Sequence, residues 1–204
     1  MYEKEKEELT DICHLLYERD LVSASDGNVS VRVSKDHILL TPSGKNKGMI
    51  KPEEIIVLDL DGNTLEGIGK VSKEYPMHKA IYEKREDVKA VVHTHPVYAT
   101  AFALAGKNLP DNYLIETKMM LKKTALADYA TPGTIEMAYV IEPFLDTCDA
   151  ILLKNHGAVT FGKDLVSAFN KMEVMESIAK TIIMSKIIGE PQVISEENMR
   201  KMNR

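Results

Sequence analysis

The sequence predicts an α/β sandwich around a largely antiparallel sheet, because strand-like runs and helical periodicities are mixed along it. Several neighbouring strand-like runs are joined only by turn residues, as in hairpins, which argues against a doubly wound Rossmann domain. No repeat, low-complexity stretch or Pro/Gly/Ser linker divides the chain, so one domain is expected over residues 1–204.

Leu9, Ile12, Cys13 and Leu16 recur at helical spacing and open the chain with an amphipathic helix. Val29–Val33 and Ile38–Thr41 alternate as short strands. Ile55–Leu60, then Asp61-Gly62, then Thr64-Leu65 reads as a hairpin with a two-residue type I′ turn. Tyr75–Glu86 is predicted helical, and the β-branched run Val88–Thr94 suits a buried strand. Pro96 opens a further helix to about Ala105, and Ile135–Leu145 is a helix interrupted near Pro143. Ile151–Lys154 and Ala158–Phe161 pair around Asn155-His156-Gly157, and the longest helix runs Leu165–Ile188 to a Gly-Glu-Pro stop.

The 204 residues are 44% hydrophobic and 28% charged, enough apolar content for a sizeable core. Apolar runs are too short for a membrane span, and the charged start Met1-Tyr2-Glu3-Lys4-Glu5-Lys6 has no apolar core of a secretory signal. Cys13 and Cys148 stand far apart, outside any Cys-x-x-Cys pair, so a reducing, cytoplasmic setting is expected. The net charge of -5 is interleaved, with no basic stripe and no tryptophan, which leaves nucleic-acid binding without support. An acidic chain that binds a phosphate must do so locally, through backbone N–H groups, hydroxyls or a metal.

Chemistry concentrates at strand ends. In His93-Thr94-His95, residues i and i+2 of a strand share a face, so both imidazoles can converge on one ion before Pro96 turns the chain away. Two unrelated histidines on a half-exposed strand would read the same way. His156 also follows an apolar strand, and Gly157 beside it permits close approach; by itself it could be a turn histidine. Three neutral imidazoles with an open fourth position make a catalytic type of zinc site. Glu74 stands at the start of a helix, where a carboxylate can simply favour the dipole, or can act chemically. His78, four residues on, shares its helical face and could orient it, or could merely pack. Ser25-Asp26-Gly27-Asn28-Val29-Ser30 and Thr41-Pro42-Ser43-Gly44-Lys45 combine glycine with hydroxyl or amide donors, as phosphate loops and ordinary turns both do.

Together these segments resemble the class II aldolase/adducin family along nearly the whole chain. Gly27-Asn28-Val29-Ser30-Val31-Arg32 is similar to its Gly-Asn-x-Ser-x-Arg element, and Thr41-Pro42-Ser43-Gly44 to its phosphate loop. Ser72-Lys73-Glu74, His93-Thr94-His95 and Asn155-His156-Gly157 are similar to its catalytic glutamate and three zinc histidines, in the family's order and spacing. The resemblance implies a three-layer α/β/α fold and a C4 homotetramer with active sites at subunit interfaces. It implies Zn2+, or another divalent metal, on His93, His95 and His156, with Glu74 as a ligand of the resting site. Gly27, Asn28, Ser43, Gly44 and Ser72 would hold the phosphate, and Tyr113 would serve the aldehyde oxygen.

The implied reaction cleaves a ketose 1-phosphate, L-fuculose 1-phosphate or a related deoxypentulose 1-phosphate, to dihydroxyacetone phosphate and an aldehyde. Zinc acts there as Lewis acid and Glu74 as acid and base, with no lysine Schiff base. Two departures stand out: Lys73 replaces a serine usual in close members, and the tail Gln192–Arg204 lacks the tyrosine that some members contribute. Within the family, a ribulose-phosphate 4-epimerase, a methylthioribulose-1-phosphate dehydratase and a non-enzymatic adducin-like module are the competing readings. An aspartate is usual at Glu74 in the epimerases, and a bare module need not keep the histidines and the glutamate.

Overall fold

The computed structural model describes residues 1–201, so the last three residues of the tail lie outside the described ones. Eight strands form one sheet: β1 (Asn28–Arg32), β2 (His37–Leu40), β3 (Ile56–Asp59), β4 (Thr64–Glu66), β5 (Ala90–Thr94), β6 (Thr124–Ala127), β7 (Ala150–Leu153) and β8 (Gly157–Gly162). Their order is β4-β3-β2-β1-β5-β8-β7-β6. Every neighbouring pair is antiparallel except β6 and β7, which run parallel. The sheet is therefore mixed, though mostly antiparallel. The helices are α1 (Glu3–Glu18), α2 (Tyr75–Lys84), α3 (Val97–Leu104), α4 (Glu136–Ile141), α5 (Leu165–Ile188) and α6 (Glu196–Lys201). No described helix is long and apolar enough to cross a membrane.

The period-two alternation of the strands divides the apolar side chains between two cores. Val29, Leu39, Val57, Val92, Leu152 and Ala158 face α1, α3 and α5, packing with Leu9, Leu16, Phe102 and Met172. Ile38, Leu40, Ile56, Leu58, Val91, Ile151 and Leu153 face the other way, packing with Met77, Ile81, Met137 and Ile141 of α2 and α4. Each such side chain contributes about 1.5–3 kcal/mol when fully buried. The opening helix buries the four residues whose spacing predicts it, Leu9, Ile12, Cys13 and Leu16.

Some expectations are corrected by local chemistry. Three residues separate the hydrogen-bonded pair Asp59 and Asn63, rather than the two of a type I′ turn. Gly62 N–H donates to Asp59 O, Asp59 N–H donates to Asn63 O, and the Asp59 carboxylate accepts from Asn63 N–H. That is a type I turn closed by a bulge at Gly62, whose φ is 89°. The helix over Tyr75–Glu86 stops at Lys84, because Arg85 turns extended and spends its guanidinium on Asp87, Asp149 and Leu145 O. Strand β6 has no counterpart in the sequence reading; it joins the sheet in parallel, with α4 in the crossover to β7.

Candidate active site

The sheet order brings together the ends of three central strands. Asn28 at the start of β1 pairs with His93 near the end of β5, and β8 lies on the other side of β5. His156 sits in the tight link from β7 to β8, where Asn155 takes a left-handed φ of 57°, tolerable for Asn. Gly157 follows because a Cβ there would lie 2.5 Å from His95 Cδ2 and 2.5 Å from Thr94 O. Gly27 meets a similar limit: its φ is 69°, and a Cβ would lie 2.5 Å from His93 O.

The three imidazoles form a compact triangle, with ring centroids 4.8–5.0 Å apart. One candidate ligand atom from each falls within 4.8 Å of the others. Glu74 occupies the N-cap position of α2 but makes no side-chain cap there. Its carboxylate turns into the triangle, with Oε2 3.2 Å from His93 Nε2 and Oε1 3.3 Å from His156 Nε2. Asn28 Nδ2 donates to the same Oε2 at 2.7 Å. The plain dipole role open to Glu74 at the sequence level is thus not the one its side chain adopts.

Proton counting shows that this cluster suits a cation. His93 Nδ1 lies 2.9 Å from Ala158 O, and a carbonyl only accepts, so Nδ1 carries the hydrogen. His93 Nε2 faces the Glu74 carboxylate and lies 3.3 Å from His95 Nε2. Glu74 Oε1 is buried without a hydrogen-bond partner. A divalent ion among His93, His95, His156 and Glu74 satisfies such a set of inward lone pairs. Burial pushes the Glu74 carboxyl upward, but His93, the Asn28 bond and His156 together hold it far below the usual carboxylate range. Burial, and after it the proximity of His93, depresses His156 to about 4 and also depresses His95. Ligation by neutral imidazole is thereby favoured.

The cluster forms the floor of a cleft of about 270 Å³. Its walls are the two predicted loops, with Ser25, Asp26, Gly27 and Asn28 on one side and Pro42, Ser43 and Gly44 on the other. Ser72, Lys73, Pro132 and Gly133 close it. The nitrogen of Ser43 already donates to Lys70 O, so that residue offers its hydroxyl rather than its N–H. Ser72 is buried, and its hydroxyl accepts from Glu74 N–H at 3.3 Å. Lys73 is exposed at the rim and packs against Gly133. A larger groove of about 560 Å³ lies between α2 and α4, but no histidine lines it.

Tyr113 does not line the cleft; it packs against the α1/α3/α5 core. Two features escaped the sequence reading, Pro132-Gly133 and Lys47, and two residues of the predicted loops, Asp26 and Asn28, do more than it assigned them. Pro132-Gly133 and Asp26 help shape the cleft, with Asp26 Oδ2 3.7 Å from His95 Nδ1. The Pro-Gly dipeptide was a visible turn signal. Lys47 is 1% exposed and donates to Ser25 O and Lys45 O, tying the two loops together. No local pattern marks a lysine for burial. Asn28 is also more than a loop donor, since its amide bridges Glu74 and His78.

His78 gives a pH prediction. It is completely buried, and burial pushes its pKa from 6.5 to about 3. The unfolded chain takes up that proton near pH 6.5 and the folded chain only near 3, so stability rises with pH across this window and is lost on acidification. In the metal-free protein the contribution of His78 should fall by about 2 kcal/mol between pH 7 and 5, at ~1.4 kcal/mol per pH unit below 6.5. Urea midpoints at the two pH values should show a shallower pH dependence in His78→Gln; an unchanged dependence refutes the assignment.

The chain belongs to the class II aldolase and adducin family: the model described as Class II Aldolase and Adducin N-terminal domain matches residues 7–183. It is an enzyme of that family's aldolase class. Among its relatives is an L-fuculose phosphate aldolase of Methanococcus maripaludis, 43% identical over 83% of this chain and 91% of the relative. A 5-deoxy-D-ribulose 1-phosphate aldolase of Bacillus thuringiensis is 34% identical over 99% and 95%. A 3-oxo-tetronate 4-phosphate decarboxylase of Haemophilus influenzae is 36% identical over 86% and 85%. A solved structure of an L-fuculose 1-phosphate aldolase superposes with a TM-score of 0.88 at 36% identity, covering 97% of this chain and 93% of that one.

Proposed function

We propose that the chain is a zinc-dependent class II aldolase that reversibly cleaves a ketose 1-phosphate to dihydroxyacetone phosphate and an aldehyde. The observation that carries this reading is the Glu74 carboxylate held between His93 and His156, beneath a cleft walled by the two hydroxyl- and glycine-bearing loops. His93, His95 and His156 would hold the ion, with Glu74 as a further ligand before substrate enters. The bound ion would supply a Lewis acid for the negative charge that develops on the substrate's oxygens.

The remaining work falls to the protein. Gly27, Asn28, Ser43, Gly44 and Ser72 line the cleft and would seat the phosphate, fixing the sugar's reach toward Glu74. The Glu74 carboxyl would deliver a proton to the carbon freed by cleavage, and remove that proton in the condensation direction. Tyr113, expected at the aldehyde oxygen, packs against the α1/α3/α5 core instead of lining this cleft. The same reading includes a homotetramer whose active sites lie at subunit interfaces. A single domain in a three-layer α/β/α arrangement, in the cytoplasm, completes the reading; its support is one sheet with a separate core on each face.

Names of relatives support L-fuculose 1-phosphate or a deoxypentulose 1-phosphate as substrate. The decarboxylase-named relative favours a second reading, in which the same cluster stabilises the charge left by loss of CO2 from a 3-oxo acid phosphate. The zinc-loaded protein should release dihydroxyacetone phosphate from L-fuculose, L-rhamnulose or 5-deoxyribulose 1-phosphate, and chelation should abolish it. Exclusive CO2 release from 3-oxo-tetronate 4-phosphate would replace this reading with the second. Exclusive epimerisation of ribulose 5-phosphate or dehydration of methylthioribulose 1-phosphate would sink both.

A further inference from the structure

Behind the cleft lies a line of buried polar side chains that the proposed chemistry does not use. Ser30, His78 and Tyr82 are each no more than 1% exposed. The Tyr82 hydroxyl is 2.7 Å from Ser30 Oγ, which is 2.7 Å from His78 Nδ1. His78 Nε2 is 2.5 Å from Asn28 Oδ1, and Asn28 Nδ2 reaches Glu74 Oε2. Residues i and i+2 of β1 share a face, and residues i and i+4 of α2 share a ridge. Asn28, Ser30 and Arg32 therefore run alongside Glu74, His78 and Tyr82. The pairing ends where Arg32 donates to Tyr82 O and lies 4.9 Å from the centre of its ring.

Donors and acceptors in this line leave one consistent arrangement. A carboxylate only accepts, so the Asn28 amide nitrogen faces Glu74 and its oxygen faces His78. An amide oxygen only accepts, so His78 carries its hydrogen on Nε2. A neutral imidazole has one N–H, and the burial that depresses the His78 pKa keeps it neutral. Nδ1 must then accept from the Ser30 hydroxyl, and the Ser30 oxygen is left to accept from Tyr82. With Asn28 flipped, a carbonyl dipole would point at the Glu74 carboxylate and an NH2 group at the Nε2 hydrogen. Both contacts would be repulsive.

We propose that His78 is a positioning residue. Its Nε2–H holds the Asn28 amide in the one orientation that supports the Glu74 carboxylate inside the cleft, and the Ser30 hydroxyl satisfies Nδ1 on the other side of the ring. This rests on the reading of Glu74 as the reacting carboxylate. It also gives a role to the serine and arginine of the Gly27–Arg32 element, which reach neither the cleft nor the histidine triangle.

The test pairs two substitutions in the full-length, zinc-loaded protein with nitrogen NMR of the histidine rings. A glutamine can place an N–H where Nε2 stands, whereas an asparagine is too short to do so. His78→Gln should keep kcat within about 5-fold, while His78→Asn should lose roughly 10–100-fold in kcat or zinc affinity, the range found when support of a metal site is removed. Thermal midpoints of the two variants should be similar, which a purely structural role does not predict alongside unequal activity. In the unsubstituted protein, 15N shifts should show His78 protonated on Nε2 alone. An Nδ1-protonated His78, or equal losses in the two His78 variants, overturns the proposal. If the unsubstituted protein cleaves no ketose phosphate, the reading of Glu74 fails, while tautomer and zinc affinity still decide whether His78 holds Asn28.

Discussion

Glu74→Gln should lower kcat by about 10²–10⁴-fold, the range expected for loss of a positioned acid–base group, while leaving the fold intact. The change is nearly isosteric, and the amide oxygen of the new side chain can still accept from Asn28 Nδ2. What disappears is the negative charge between His93 and His156, and with it the ability to hold and return a proton. Because three imidazoles remain, the variant should still bind zinc, more weakly than the parent. Steady-state kinetics with metal analysis separate these effects: kcat should fall with KM nearly unchanged, since the phosphate loops are untouched. Activity within a few-fold of the parent at full zinc occupancy would remove Glu74 from the chemistry.

Gly157→Ala should be almost as damaging, by a different route. The new methyl would stand 2.5 Å from both His95 Cδ2 and Thr94 O, closer than real contacts allow. Since Thr94 O belongs to the backbone of β5, the imidazole has to yield or the β5–β8 seam has to open. Overpacking of this kind costs about 1–3 kcal/mol, which lowers Tm by roughly 2–4 °C per kcal/mol for a chain of this size. A displacement near 1 Å at a reacting site can cost about 10²-fold in rate. Thermal melts and zinc titration of the variant should both show the loss. Unchanged zinc affinity would mean that His95 does not need its present position.

Much of this was legible because local period and global fold agree. The alternation Ile38, Leu39, Leu40 and the run Ile151, Leu152, Leu153 sort to opposite cores as a period of two requires. The long helix Leu165–Ile188 has the predicted bounds, with Asp164 capping Ser167 N–H at its start. His93, His95 and His156 meet because one strand end and one tight link carry them, and strand ends are readable. Relations that depend on how elements dock were not readable. Nothing in Thr124-Ala125-Leu126-Ala127 announces a strand until Ala150–Leu153 is beside it. The approach of His78 to Glu74 was visible as a shared helical face, but Asn28 as the group between them depends on the register of α2 over β1. The β3–β4 turn differs from the expected one because Asp59, two residues before the expected loop, captures Asn63 and lengthens it.

The strand order also fixes when the ion can arrive. The seam through β1, β5 and β8 joins residues far apart in sequence: Asn28 reaches Glu74 across 46 positions, and His93 reaches Ala158 across 65. During synthesis the His93/His95 pair emerges long before His156, and an ion meeting it then finds only two imidazoles and weak retention. The full set of ligands exists only once β8 has been made and has docked, a long-range step of the slow-folding kind. Metal acquisition would therefore be a finishing event, and its binding energy would fall on the completed sheet rather than on any folding fragment.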